Sequence, residues 1–263
     1  MNMNRNHLSL WLLLLAAFIA VAAISFLGPV NIFGYELKDS GMAKTISAPK
    51  PSTELSDTIA EAEVSEASPF PAPLDTLPQT ILFFGDSMLD GLYPRLAAYA
   101  DENGHELYAV IWYSSTSEVW GKSERLNDYI ERLHPTFIFV SLGANELFVK
   151  DISERREKYV KKIIADIDTI PYLWIGPPNW KDDTGINDLI AANTAPGCFF
   201  LSNGMSFQRK SDGAHPTNES SNLWMDSIAR WMPLHGAHPI RMELPEKSRS
   251  RAKRVFVHQP SES

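Results

Sequence analysis

Between Gln79 and Met232 short apolar runs alternate with stretches of helical period, and the alternation repeats five times. Thr80-Ile81-Leu82-Phe83-Phe84, Glu106 to Tyr113, Phe137-Ile138-Phe139-Val140, Tyr172-Leu173-Trp174-Ile175 and Cys198-Phe199-Phe200-Leu201 read as strands. Runs that are apolar throughout belong to strands covered on both faces, the condition of a parallel sheet. Between them Leu92, Leu96, Ala97 and Ala100 recur at helical spacing and stop at Asn103-Gly104. Ser123 to Leu133 reads as a second helix, ended by Pro135. Val160, Ile163, Ile164 and Ile167 form the face of a third, with Ser153 as its cap. Ile186, Leu189 and Ile190 mark a fourth, and a last helix runs from Asn218 through Trp224 and Ile228 to Pro233. The connections are short, so the expected fold is α/β in three layers, a five-stranded parallel sheet between helices spanning residues 79–233.

In such a sheet the ligand crevice lies beyond the C-terminal ends of the strands. Ser87 follows the first strand, Asn145 the third and Asn179-Trp180 the fourth, while the loop with Asp212 and His215 follows the fifth. A serine hydroxyl is a poor nucleophile until a base takes its proton, and the base works best when a third group holds its ring. Asp212, three residues before His215, can be that third group on a single turn.

The flanks differ from this domain. After a short tail of residues 1–7, residues 8–27 form an uncharged run long enough to span a bilayer as a helix. A cleaved signal peptide is the competing reading, but Ile24-Ser25-Phe26-Leu27 continues the run past Ala20-Val21-Ala22, which favours an uncleaved anchor in the inner membrane. Arg5 on one side and Lys38 and Lys44 on the other, interleaved with Glu36 and Asp39, leave the orientation undecided by charge. Residues 28–78 carry many prolines, and between Pro51 and Pro78 there are six acidic side chains and no basic one. That composition reads as an extended, disordered stalk that would hold the domain outside the membrane, on the periplasmic or extracytoplasmic side. Residues 234–263 read as a disordered basic tail, with six basic residues between Arg241 and Arg254 and an anionic polymer as its possible partner. The formal net charge of −8 argues against general nucleic-acid binding. Cys198 is the only cysteine, so no intramolecular disulfide forms. No His, Cys or Asp grouping has metal-ligand spacing and no glycine-rich phosphate loop occurs, so neither metal nor cofactor is expected.

Three blocks, Phe84-Gly85-Asp86-Ser87-Met88, Gly143-Ala144-Asn145-Glu146 and Asp212-Gly213-Ala214-His215-Pro216, occur in this order, each at an expected strand end. Together they resemble the SGNH (GDSL-type) hydrolase family of esterases and lipases, over the alternating domain but not its flanks. The resemblance implies a flavodoxin-like SGNH-hydrolase domain with Ser87 as nucleophile, His215 as general base and Asp212 as its orienter. It also implies an oxyanion hole made by the Ser87 N–H, the Asn145 side-chain amide and a backbone donor after the second strand. The family usually has glycine at that last position. Here Tyr113-Ser114-Ser115-Thr116-Ser117 stands in its place, and Ser115 is the expected donor. Glu146 stands where the family more often has aspartate.

Trp180 and Asn179, with Phe148 beyond Asn145, are the candidate substrate-binding residues; Trp180 suits stacking on a sugar ring or, equally, anchoring its loop. The anchor, the stalk and Trp180 favour a serine esterase removing small acyl groups, O-acetyl foremost, from an envelope or extracellular carbohydrate. A polysaccharide O-acyltransferase on the same site, a lysophospholipase or thioesterase, and a catalytically weak envelope binding module are the alternatives.

Overall fold

The computed structural model describes residues 72–260 and the backbone of Val30–Ile32 and Tyr35–Leu37. The chain divides into two units, Met1–Val64 and Ser65–Ser263. The run 8–27 expected to form the anchor lies outside the described residues, as does most of the stalk. Among the described residues no helix is long and apolar enough to cross a membrane. Within the first unit Val30–Ile32 pairs antiparallel with Tyr35–Leu37, in a stretch expected to be unstructured stalk. Val30, Ile32 and Tyr35 are good strand formers, and their local preference prevails over the proline-rich, acidic composition of the segment as a whole.

The second unit is a parallel sheet between two layers of helices. Its elements are β1 (Thr80–Gly85), α1 (Leu89–Asn103), β2 (Glu106–Trp112), α2 (Ser117–Gly121), α3 (Arg125–Leu133) and β3 (Phe137–Ser141). They are followed by α4 (Ile152–Ile167), β4 (Tyr172–Ile175), α5 (Ile186–Asn193), β5 (Phe199–Phe200), α6 (Asn218–His235) and β6 (Arg254–His258). The strand order is β5-β4-β3-β1-β2-β6, with every pair parallel. The fold is thus the expected flavodoxin-like α/β sandwich, with six strands rather than five.

The period of β1 divides the core into two. Ile81 and Phe83 face α1 and α6, packing among Leu92, Leu96, Trp224, Met225 and Ile228. Leu82 and Phe84 face the other layer, among Trp120, Leu126, Val160, Ile163 and Ile190. All four β1 side chains are fully buried. Burial of such a side chain contributes about 1.5–3 kcal/mol, so one strand fastens both helical layers. Gly104, in the left-handed region at φ 73°, closes α1 through its N–H to Ala100 O. Ser153 does not cap α4: that helix starts at Ile152 after Asp151, which has φ 52° and no side-chain cap bond.

The larger correction concerns the ends of the domain. Asp75 pairs with the tail before the stalk is over: its N–H donates to Pro239 O at 2.8 Å and its carbonyl accepts from Arg241 N at 2.9 Å. The tail expected to be disordered is ordered to residue 260. Arg95 donates to the carbonyls of Lys247 and Ser248, Asn103 donates to Glu243 O, and Ser250 N donates to Pro94 O. The chain then enters the sheet as β6 beside β2. No apolar period announces this segment, because its order comes from main-chain bonds to side chains of α1. The one strand signal, Val255-Phe256-Val257, is hidden between Arg254 and His258.

His105 is part of this clamp. Its Nδ1 accepts from Gln79 N at 3.0 Å, which leaves Nε2 to donate to Arg241 O at 2.7 Å. The bond to Nδ1 needs the neutral ring, and burial pushes its pKa below the ordinary 6.5, opposed by the bond to Arg241 O. The neutral form is favoured by folding, so its contribution is complete above pH 6.5 and is lost as pH falls toward the depressed native value. The Tm advantage of the native chain over His105→Asn should therefore shrink between about pH 7 and pH 5. An advantage that stays constant across that range would show that His105 does not couple protons to folding. Ending the chain at Lys253 should cost roughly 2.5–7.5 kcal/mol, from five lost strand positions at about 0.5–1.5 kcal/mol per hydrogen bond. Chemical denaturation reads this directly.

Candidate active site

The site is built at the C-terminal ends of the neighbouring parallel strands β1 and β3. Gly85 ends β1 so close to β3 that a Cβ there would lie 2.0 Å from Ser141 O. No other residue fits without moving the backbone, and the Asp86 N–H donates to that same carbonyl at 3.0 Å. Asp86 then accepts the Met88 N–H on Oδ1 at 2.9 Å, closing the turn that presents half-buried Ser87 just before α1. Burial pushes the Asp86 carboxyl up to about 7, opposed by the Met88 N–H and reinforced by the charge of Glu146.

His215 reaches this turn from the loop before α6. Its Nε2 lies 2.8 Å from Ser87 Oγ and its Nδ1 lies 2.8 Å from Asp212 Oδ2. The second carboxylate oxygen of Asp212 accepts the Ala214 and His215 N–H groups at 2.8 and 2.9 Å. Those bonds, the His215 N–H first, hold its pKa down at about 2, so Asp212 is an acceptor at any ordinary pH. Nδ1 must then carry the proton, and bare Nε2 accepts from the Ser87 hydroxyl. The arrangement is a serine–histidine–carboxylate triad, assembled from two segments. Arg209 anchors the histidine loop to the loop after β4, donating to Ala214 O, to Asn179 O at 2.8 Å and to Pro178 O at 3.2 Å.

The asparagine block follows β3, with Gly143 at φ 123° beside Pro177 and Ile186. Half-buried Asn145 donates through Nδ2 to Ser115 O at 2.9 Å. Ser115 itself does not fit the role of oxyanion donor. Its N–H is taken by Trp112 O at 3.1 Å, its Oγ accepts from Trp120 Nε1 at 3.0 Å, and it is 1% exposed. A turn closed by the strand's own carbonyl has consumed the donor. Its neighbour Ser114 is exposed, sits in the left-handed region at φ 58°, and its N–H has no acceptor among the described residues.

The structure brings the three candidate substrate residues to one rim. Trp180 Nε1 donates to Ala144 O at 3.0 Å, and its half-buried ring packs on both core clusters, so it anchors its loop next to Asn145. Phe148, 54% exposed, meets it edge to face at 6.3 Å between centroids. Asn179 is less available, since its Oδ1 accepts from Asn187 Nδ2 at 3.0 Å. Lys181 Nζ stands 4.7 Å above the Trp180 ring and 5.4 Å above Phe148. An open cleft of about 620 Å³ runs along this loop, lined by Asn179, Trp180, Lys181, Asp182, Asp183 and Asn203. Lys181 and Asn203 were not singled out from the sequence. The strand-end rule that marked Asn179 applies equally to Asn203, which follows β5. Among the described residues no group of three or more His, Cys, Asp or Glu side chains could hold a metal ion.

No family model matches the chain and no curated protein matches it. Among solved structures, it is similar to a psychrotrophic esterase, EstA, from Pseudoalteromonas sp., inhibited there by monoethylphosphonate. The two share 18% identity over 58% of this chain and 98% of that one, with a TM-score of 0.41. It is also similar to TesA, at 19% identity over 57% of this chain and 96% of the other, with a TM-score of 0.44. What the site can do rests on its own hydrogen bonds.

The left-handed serine gives a direct test of the second block. A non-glycine residue in that region costs about 1–2 kcal/mol, partly offset by glycine's greater freedom when unfolded. Ser114→Gly should thus stabilise the protein by about 0.5–1 kcal/mol, read as a rise in Tm. A fall in Tm would mean that the serine side chain, not only its backbone, is used.

Proposed function

We propose that this chain is a serine esterase of the SGNH kind that removes small acyl groups, O-acetyl foremost, from a carbohydrate. One observation carries the ester chemistry: Asp212, His215 and Ser87 form a continuous relay with both side-chain contacts at 2.8 Å. Ser87 Oγ attacks the ester carbonyl while His215 Nε2 takes its proton. The tetrahedral oxyanion is held by the second Nδ2 hydrogen of Asn145 and by backbone N–H groups at Ser87 and Ser114. Collapse breaks the carbon–oxygen bond to the alcohol, which leaves with the proton from His215. Water then attacks the acyl-serine, His215 takes its proton and returns it to Ser87 Oγ, and the acid departs.

The carbohydrate reading is supported by the cleft beside the site, whose amides, carboxylates, lysine and single aromatic edge suit a polyhydroxylated alcohol better than a long acyl chain. Hydrolysis rather than transfer is supported by exposure: the His215 and Asp212 side chains are 31% and 48% exposed, so water reaches the acyl-serine. Placement of the domain outside the inner membrane rests on residues 8–27 and the acidic stalk.

The test is a panel of acetyl, butyryl and longer-chain esters and acetylated oligosaccharides, with the full-length chain. Acetyl esters should be preferred, and free acetate should appear without acylation of an added glycan. Ser87→Ala should lower kcat/KM by at least about 10³-fold, and Asn145→Ala by about 10²–10³-fold, mostly in kcat. No turnover of any ester, or turnover indifferent to Ser87→Ala, would end the esterase reading. A preference for long chains would end the carbohydrate-acetate part alone.

A further inference from the structure

Glu146 follows Asn145 directly, takes no part in the triad, and is wholly buried, with its side chain 0% exposed. Taking a carboxylate out of water costs several kcal/mol unless partners replace the water, so its contacts show what the position is for. One carboxylate oxygen accepts the Ser117 hydroxyl at 2.7 Å and lies 2.7 Å from Arg156 Nε. The other accepts the Ser117 N–H at 2.9 Å. Arg156, on α4, is itself paired with Glu118 Oε2 at 2.6 Å. Glu146 therefore fixes the first residue of α2 against α4.

Asn145 grips the same loop two residues earlier, through Nδ2 to Ser115 O. A side-chain amide has two N–H groups in one plane, so anchoring one hydrogen on a carbonyl sets the direction of the other. That direction depends on where Ser115 O stands, and Ser115 O is placed by a loop whose far end is held by Glu146. Successive residues on one strand end thus clamp both ends of a short segment, and that segment in turn aims one of them. The nucleophile turn is coupled to this clamp, because the charge of Glu146 acts on buried Asp86.

We propose that Glu146 is the positioning residue of the oxyanion hole: through Ser117 it fixes the segment from Ser114 to Ser117, and through Ser115 O it aims the Asn145 amide. The inference rests on the esterase reading of the site. Glu146 touches no substrate atom, and its effect is felt in the transition state, where the oxyanion develops.

The experiment is a double-mutant cycle on the full-length chain with a simple acetyl ester as substrate. Glu146→Gln keeps the shape and removes the charge. It should lower kcat by about 10–100-fold, with KM within about twofold and a two-state melt retained. In the Asn145→Ala background the same change should cost less than about threefold, because the amide it aims is already gone. Ser117→Ala, which removes only the hydroxyl bond, is the milder companion. It should lower kcat by about 3–10-fold alone, by much less beside Asn145→Ala, and it serves if Glu146→Gln does not fold. Losses that multiply in full in both double variants would make Glu146 a general structural residue and overturn the proposal. So would an unchanged kcat in a folded Glu146→Gln protein, or a loss carried by KM alone. Inactivity of the native chain on every ester would instead reject the underlying esterase reading.

Discussion

The contact on which the site depends is the close approach of the C-terminal ends of the paired strands β1 and β3, where Gly85 lies against Ser141 O. In a sheet ordered β5-β4-β3-β1-β2-β6 the connection after β1 runs to β2 on one side and the connection after β3 runs to β4 on the other. Loops therefore diverge at the C-terminal ends of β1 and β3 and leave a crevice between them. Ser87 comes from one wall and Asn145 from the other. The absent side chain at position 85 brings those walls close enough for the Asp86 N–H to bond the carbonyl that ends β3. The proposed nucleophile and the proposed oxyanion donor are thus related by main-chain geometry before any side chain contributes.

Burial around that contact divides the polar groups into two sets. Asp86 and Glu146 stand behind the site, almost out of contact with water, and each must be satisfied by backbone or by a partner. Asp86 meets the need partly by binding its proton more tightly, and Glu146 by two bonds from Ser117 and the cation of Arg156. Asp212 and His215 stand in front, in solvent, where little desolvation has to be offset. Rigidity is supplied from the buried side and reactivity is displayed on the exposed side. The same division explains why Arg209 is needed: an exposed histidine loop has no core of its own, and the guanidinium fastens it to the carbonyls of Pro178 and Asn179.

The sequence made legible whatever depends on local period and strand ends. Ile81 to Phe84 alternate between two cores as an apolar run in a parallel sheet should, and Ser87, Asn145, Asp212 and His215 converge because each follows a strand. What it concealed depends on long-range main-chain bonds. Nothing in Arg241 to Arg254 shows that Arg95, Asn103 and His105 will collect its carbonyls, so the tail and the sixth strand could not be read from period. Ser115 failed as an oxyanion donor for a related reason. Which of two adjacent serines closes a turn on Trp112 O is decided by backbone torsions, and these left Ser114 at φ 58° with its N–H unspent. Nothing near Glu146 in the sequence announces its partners either, because they are Ser117 and Arg156, distant along the chain.

The short spacing of Asp212 and His215 has a consequence beyond economy of sequence. A carboxylate supplied from a distant strand would be set by tertiary packing and buried with it, and its pKa would be open to being raised. Here two backbone N–H groups of the same turn bind one oxygen while the imidazole binds the other, and the pKa is held at about 2. Asp212 thus remains an ionised acceptor for Nδ1 at any pH well above 2. The turn carries its own electrostatics and needs the rest of the fold only to bring Nε2 to Ser87. Arg209 and the Thr217 cap of α6 provide that placement. On the proposed oxyanion side, by contrast, the direction of the Asn145 amide depends on a second segment of chain, held through Ser115 and Ser117, and there buried Glu146 stands.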